Sequence, residues 1–122
     1  MPVVVASKTR YSGVVTPVDL NVETVVVDIP AQADDYLVEG YIDLSQLAPG
    51  DEVVVREYVA VDGVSYRLFV QVAYAGPVDE PVVRFHTKTL LYSMKYRVTV
   101  TQTAGVLRGF PYGFVLEVLG TV

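Results

Sequence analysis

The chain has 122 residues, a formal charge of −5 and an apolar fraction of 52%, which together bound it to one domain built on one core. Its pI near 4.6 runs against the basic balance that phosphate contacts demand, so no nucleic-acid partner is expected. It has no cysteine, which excludes disulfides and thiolate metal sites, and no apolar run reaches the roughly 18–20 residues of a membrane span.

Twenty-eight residues are valine and nine are tyrosine, types that suit a pleated, half-buried surface, whereas good helix formers are scarce. Turn signals recur at short spacing: Ser12-Gly13, Pro17, Pro30, Asp34-Asp35, Pro49-Gly50-Asp51, Asp62-Gly63, Gly76-Pro77, Asp79-Glu80-Pro81, Ala104-Gly105 and residues 109–113. No stretch of ten or more residues keeps a helical period. The pattern predicts eight strands, over 3–11, 21–29, 36–44, 52–61, 64–74, 82–89, 96–103 and 113–119. Eight short strands in residues 1–122 predict an all-β, single-domain antiparallel β-sandwich, with the jelly roll one of its arrangements.

The first predicted strand opens Met1-Pro2-Val3-Val4-Val5. It has neither a basic segment nor a long apolar one, so no secretory signal peptide is expected in the chain. Residues 1–11 read as an N-terminal arm or as a strand exchanged with a neighbour. Val3–Val5 is also the first of three valine triplets, the others being Val25–Val27 and Val53–Val55. Successive strand residues point to opposite faces, so each triplet puts apolar groups on both. A second sheet covers one face; the other is either a few exposed valines or a surface that meets another subunit, and the second is the expectation. A mean hydropathy of +0.40 agrees, because homo-oligomer interfaces are more apolar than ordinary surface.

In 36–44, alternation assigns Val38, Gly40, Ile42 and Leu44 to the core face. Further on, Asp62-Gly63 predicts a two-residue type I′ hairpin turn. That register places Val59 opposite Tyr66, Glu57 opposite Leu68, Val55 opposite Val70 and Val53 opposite Val72. The face is apolar except for Glu57, which must reach an edge or find a donor. The opposite face then pairs Tyr58 with Arg67 and Arg56 with Phe69. These residue types are enriched at interface hot spots, and with Val3 and Val5 they form the candidate interface: Val3, Val5, Arg56, Tyr58, Arg67 and Phe69. An exposed face held by cation–π pairs is the alternative.

Strands 82–89 and 96–103 read as a further hairpin with a basic face of Arg84, His86, Lys88 and Arg97. Lys88 opposite Arg97 is unfavourable unless an anion lies close, with Glu39, Asp43 or Asp34-Asp35 the candidates. Solvent is the simpler neighbour for that face.

No catalytic pattern accompanies these strands. His86 is the one histidine, and Ser7, Ser12, Ser45, Ser65 and Ser93 lie in no nucleophile elbow. Zinc would need several histidines. The paired acids Asp34-Asp35, Asp51-Glu52 and Asp79-Glu80 fall in turns, where solvation accounts for them, and no twelve-residue calcium loop is present. Gly105, Gly109 and Gly113 make no phosphate loop. Tyr92 and Tyr112, placed in loops, offer stacking surfaces for a sugar. The expectation is therefore no enzyme, no cofactor and no metal.

The run Tyr41-Ile42-Asp43-Leu44-Ser45-Gln46-Leu47-Ala48-Pro49-Gly50-Asp51, with Val54-Val55-Arg56-Glu57 after it, resembles small β-sandwich virion proteins of archaeal viruses and tailed phages. So do Asp62-Gly63 with Tyr66-Arg67, Arg84-Phe85-His86-Thr87-Lys88 and Gln102-Thr103-Ala104-Gly105. The resemblance covers roughly residues 36–110 and carries no catalytic motif. It implies a structural, self-associating role in capsid decoration, a vertex or a fibre, in a virion or outside the cell. The partners would be copies of itself and another shell protein. A carbohydrate- or peptide-binding module on the same fold is the alternative.

Overall fold

The computed structural model describes residues 2–122. It contains eight strands among them: β1 (Val3–Val15), β2 (Thr24–Ile29), β3 (Tyr36–Asp43), β4 (Glu52–Ala60), β5 (Arg67–Ala75), β6 (Val82–Leu90), β7 (Lys95–Ala104) and β8 (Phe110–Thr121). They form two four-stranded antiparallel sheets, ordered β1-β8-β3-β6 and β2-β7-β4-β5. Every consecutive pair except β4–β5 lies in different sheets, and this double Greek key is the jelly roll. The all-β sandwich read from turn spacing is the fold observed.

The core lies between the sheets, where alternate residues of each strand meet: Val38, Ile42, Phe85, Phe114 and Leu116 from one, Ile29, Val53, Tyr96, Val98 and Val100 from the other. Tyr36, Val38, Gly40 and Ile42 are all buried, as the alternation in β3 requires. Gly40 is needed because the Phe114 ring lies over it: a Cβ there would sit 2.5 Å from Phe114 Cγ and 2.6 Å from the Gly113 carbonyl oxygen. Phe114 in turn stacks against Phe85 at 5.0 Å between ring centres.

The valine triplets resolve differently from one another. Val53 and Val55 face the core while Val54 faces out, half-buried. In β2 a bulge at Val26 turns both Val26 and Val27 inward, leaving only Val25 exposed. Neither triplet needs a partner subunit. Val3–Val5 does lack cover: these residues are exposed on both faces and run antiparallel to Leu119–Thr121, beyond the Tyr36 end of β3.

Two expected pairings are corrected. β6 and β7 form no hairpin, because residues 91–94 carry the chain from one sheet to the other. The β4–β5 hairpin exists, but Val55 pairs with Val72 and Glu57 with Val70, and a bulge at Phe69 leaves Tyr58 opposite Leu68 and Val59 opposite Arg67. The turn explains the shift. Only Gly63 has a positive φ, of 77°, so the turn is not type I′. Gly63 N–H donates to the Ala60 carbonyl, and the Asp62 carboxylate accepts from Val64 N–H at 2.8 Å and Ser65 N–H at 2.7 Å. That cap prolongs the loop and delays β5 to Arg67.

Candidate functional site

The side of the sandwich where β5 and β6 face each other is open. Val55, Glu57, Val70, Val72 and Tyr74 from one sheet and Val83, Arg84, Phe85 and His86 from the other line a cleft of about 230 Å³. It continues past Phe69, Thr87 and Lys88. β5 itself is the free edge of its sheet, and Leu68, Phe69, Val70 and Val72 are 53%, 54%, 37% and 41% exposed.

A polar knot closes the inner wall. Register between β3 and β6 shifts by one residue around His86-Thr87, so Val38 pairs with Lys88 and Gly40 with Phe85. This bulge breaks the alternation of β6 and swings Lys88 to the same side as Phe85. Lys88 Nζ lies 3.3 Å from the Glu57 carboxylate, and the side chains are only 14% and 10% exposed. The Tyr96 hydroxyl donates to the same carboxylate, and Lys88 sits 4.7 Å from the Tyr96 ring centre. Glu57 thus finds the donors its place in an apolar face demands. Burial, followed by the adjacent Glu57 charge, pushes the Tyr96 hydroxyl far above its usual pKa.

The basic face is not assembled. Arg84, His86 and Lys88 belong to one sheet and Arg97 to the other. Arg84 faces outward, 3.6 Å from Glu39, which also accepts from the Thr87 hydroxyl at 2.8 Å. Arg97 is bound to Asp28 at 3.1 Å beneath the Tyr66 ring. Each cation has its own carboxylate, so the like-charge conflict does not arise.

The interface candidates also separate. Arg56 and Tyr58 lie on the outer face of β4, tied to Glu23. The Arg56 guanidinium donates to Thr101 Oγ1 at 3.0 Å and to Gln71 at 2.8 Å and lies 3.7 Å from Glu23, while the Tyr58 hydroxyl and the Thr99 hydroxyl donate to Glu23. Burial alone would raise Glu23; the two hydroxyls and the neighbouring arginines outweigh it and hold the carboxyl below its ordinary value. Arg67 and Phe69 sit on the β5 edge, Phe69 at the cleft. Val3 and Val5 lie on β1, the free edge of the other sheet. Exposed apolar groups lie along the edge strands and in loops, whereas the outer face of β4, where Arg56 and Tyr58 stand, carries a polar network.

Tyr92 is exposed in the β6–β7 turn, but Tyr112 belongs to β8, half-buried against Phe114. Tyr112 pairs with Ile42 at the far end of β3, whereas Tyr92 N–H donates to Asp35 beside its start. Six strand residues, about 20 Å, separate them, so they line no common groove.

One residue of consequence looks like an ordinary turn acid in the sequence. Asp51 is buried, accepting from Ala48 N–H at 2.8 Å, Arg108 Nε at 2.7 Å and Val106 N–H at 3.0 Å. The Ala48 N–H, followed by Arg108, holds its carboxyl below the ordinary value. The pairing of Arg108 with Asp51 joins the loops before β4 and before β8; no local pattern announces it.

No protein-family model matches the chain, and no curated protein does. Among solved structures it is similar to the VP2 subviral particle of infectious bursal disease virus, over 96% of this chain and 33% of that one, at 9% identity and a TM-score of 0.45. It is likewise similar to the structure of the Gx strain of that virus, over 96% and 32%, at 10% identity and a TM-score of 0.42. The chain spans about a third of the length of these proteins. They come from neither an archaeal virus nor a tailed phage, and the fold assignment rests on the strand order itself.

Proposed function

We propose that this jelly roll is a non-enzymatic structural subunit that assembles with copies of itself through its exposed strand edges, as a virion component. Jelly rolls serve viral capsids, lectins and cupins alike, so architecture does not choose among them. The observation that carries the reading is the placement of apolar surface. Two free edges, β1 and β5, expose Val3–Val5 and Leu68–Val72, where a lone soluble sandwich would carry charges or a covering loop. Glu57, Lys88 and Tyr96 at the inner wall of the cleft are bound to one another, which suits a framework better than a reacting centre.

Covering half of each of four β5 side chains is worth about 1 kcal/mol apiece, or roughly 8 kcal/mol when two copies do so mutually. Association itself costs on the order of 4–15 kcal/mol. One such contact is therefore weak, and a closed array of several is stable. Light scattering coupled to size exclusion tests this, with electron microscopy of the same sample. Discrete multi-copy particles are expected; a chain that stays single at high concentration refutes it. The neighbours within such an array are copies of this chain, with a second shell protein as a further contact.

A further inference from the structure

Which edge starts the array follows from comparing the four free ones. β1 carries Lys8, Arg10 and a bulge at Ala6. β2 is six residues long, with a bulge at Val26 and a charge at Asp28. β6 is bulged at His86-Thr87 and carries Arg84, His86 and Lys88. Such charges and bulges hinder a strand from accepting another, and on β1 they leave only the short Val3–Val5 end open. β5 has a single charge, Arg67, at its first residue. Its bulge at Phe69 lies near that same end, so Val70–Ala75 runs in unbroken register with Glu57–Glu52 and presents a regular outer edge.

Resting on the assembly reading above, we infer that β5 pairs antiparallel with β5 of a second copy, across a two-fold axis at Gln71, making one continuous eight-stranded sheet. Two identical strands of residues 67–75 overlap fully only when the axis passes through their midpoint, Gln71. Charge complementarity selects the antiparallel sense. Arg67 makes no ion pair among the described residues, nor do Asp79 and Glu80 in the turn just after β5, and all three are exposed. Antiparallel pairing brings Arg67 of each copy to the Ala75 end of the other, next to that acidic turn; parallel pairing would set like charges together. Phe69, Val70 and Val72 of both copies then extend the β5–β6 clefts into one covered surface, and Leu68 is covered on the outer face, beside Tyr58.

Three measurements decide it. The chain lacks cysteine, so Gln71→Cys introduces a lone thiol on the proposed axis, where paired strands bring Cα atoms into disulfide range. A covalent dimer is expected under mild oxidation, with none for Val4→Cys on β1. Leu68→Lys with Phe69→Lys should raise the half-assembly concentration by about a thousandfold while leaving the melting temperature of the single copy unchanged. Arg67→Glu should weaken assembly, and adding Asp79→Lys and Glu80→Lys should restore it. If the native chain assembles but the thiol of Gln71→Cys stays reduced, and the charge reversal is not rescued, this inference falls while the assembly reading stands. If the native chain never assembles, both fall.

Discussion

Replacing Lys88 with methionine leaves the Glu57 carboxylate among Val55, Val70 and Phe85 with only the Tyr96 hydroxyl to meet it. At 3.3 Å the ion pair is worth about 5 kcal/mol before desolvation, taking an effective dielectric of roughly 20. Breaking a buried pair by removing one partner costs about 3–5 kcal/mol, and the open cleft, which admits water, argues for the lower end, near 3. For 122 residues the unfolding entropy is about 0.26 kcal/mol per kelvin, so the melting temperature of Lys88→Met should drop by roughly 12 °C. Glu57→Leu should cost about as much, because it leaves the buried ammonium without a counter-charge, held only by the His86 carbonyl and the Tyr96 hydroxyl, and removes the acceptor of that hydroxyl. The two changes together should cost far less than their sum, leaving about 1–2 kcal/mol for that hydroxyl, and adding Tyr96→Phe should recover most of it. Calorimetry and urea denaturation on the four proteins measure the coupling. Strictly additive single changes would show that the pair is fully hydrated through the cleft, and the account of the β6 bulge would be wrong.

Gly40→Ala should destabilise by about 1–2 kcal/mol, the overpacking against Phe114 exceeding the roughly 0.4–1 kcal/mol gained from a stiffer unfolded chain; a higher melting temperature would contradict the packing described. On the alkaline side, burial, followed by the Tyr66 charge, pushes Tyr36 up to about 12, and its hydroxyl donates to the Met94 carbonyl at 2.7 Å. A group raised in the folded state stabilises fully below its unfolded value, so stability should fall as pH rises from about 10 toward 12. Tyr36→Phe should reduce that slope by up to about 1.4 kcal/mol per pH unit; coincident slopes would mean that Tyr36 titrates freely. Asp51 is shifted the other way, so its contribution is present above about pH 4 and fades as pH falls through its lowered folded value. Asp51→Asn should melt below the parent at neutral pH, with the gap closing in acid, and hydrogen exchange should quicken in residues 44–51 and 104–109; a gap independent of pH would contradict this.

Strand positions were readable because their cause is local. Alternation and turn residues mark β3, β4 and β7 within one or two residues, and Val38, Gly40 and Ile42 face inward as their spacing demands. Sheet partnership is not local. Four residues between β6 and β7 suit a hairpin as well as a step between layers, and nothing within the segment distinguishes them. The bulges at Val26 and His86-Thr87 carry no glycine or proline to flag them, yet they decide that Val27 needs no partner and that Lys88 turns inward. Asp62 misled in a different way: its carboxylate, rather than its tolerance of positive φ, shapes the turn. Glu57 was the most informative residue, since a charge in an apolar row states that donors must be near without naming them.

β1 and β8 lie side by side in opposite directions, with Val3 opposite Thr121 and Val122 N–H bonded to the Pro2 carbonyl at 3.1 Å. Entry and exit of the polypeptide therefore share one corner, about 5 Å apart. A module with that geometry can be spliced into a loop of a host protein without prying the host apart. By the same token a short tether can close its ends while a new break opens at the exposed Pro49-Gly50 turn.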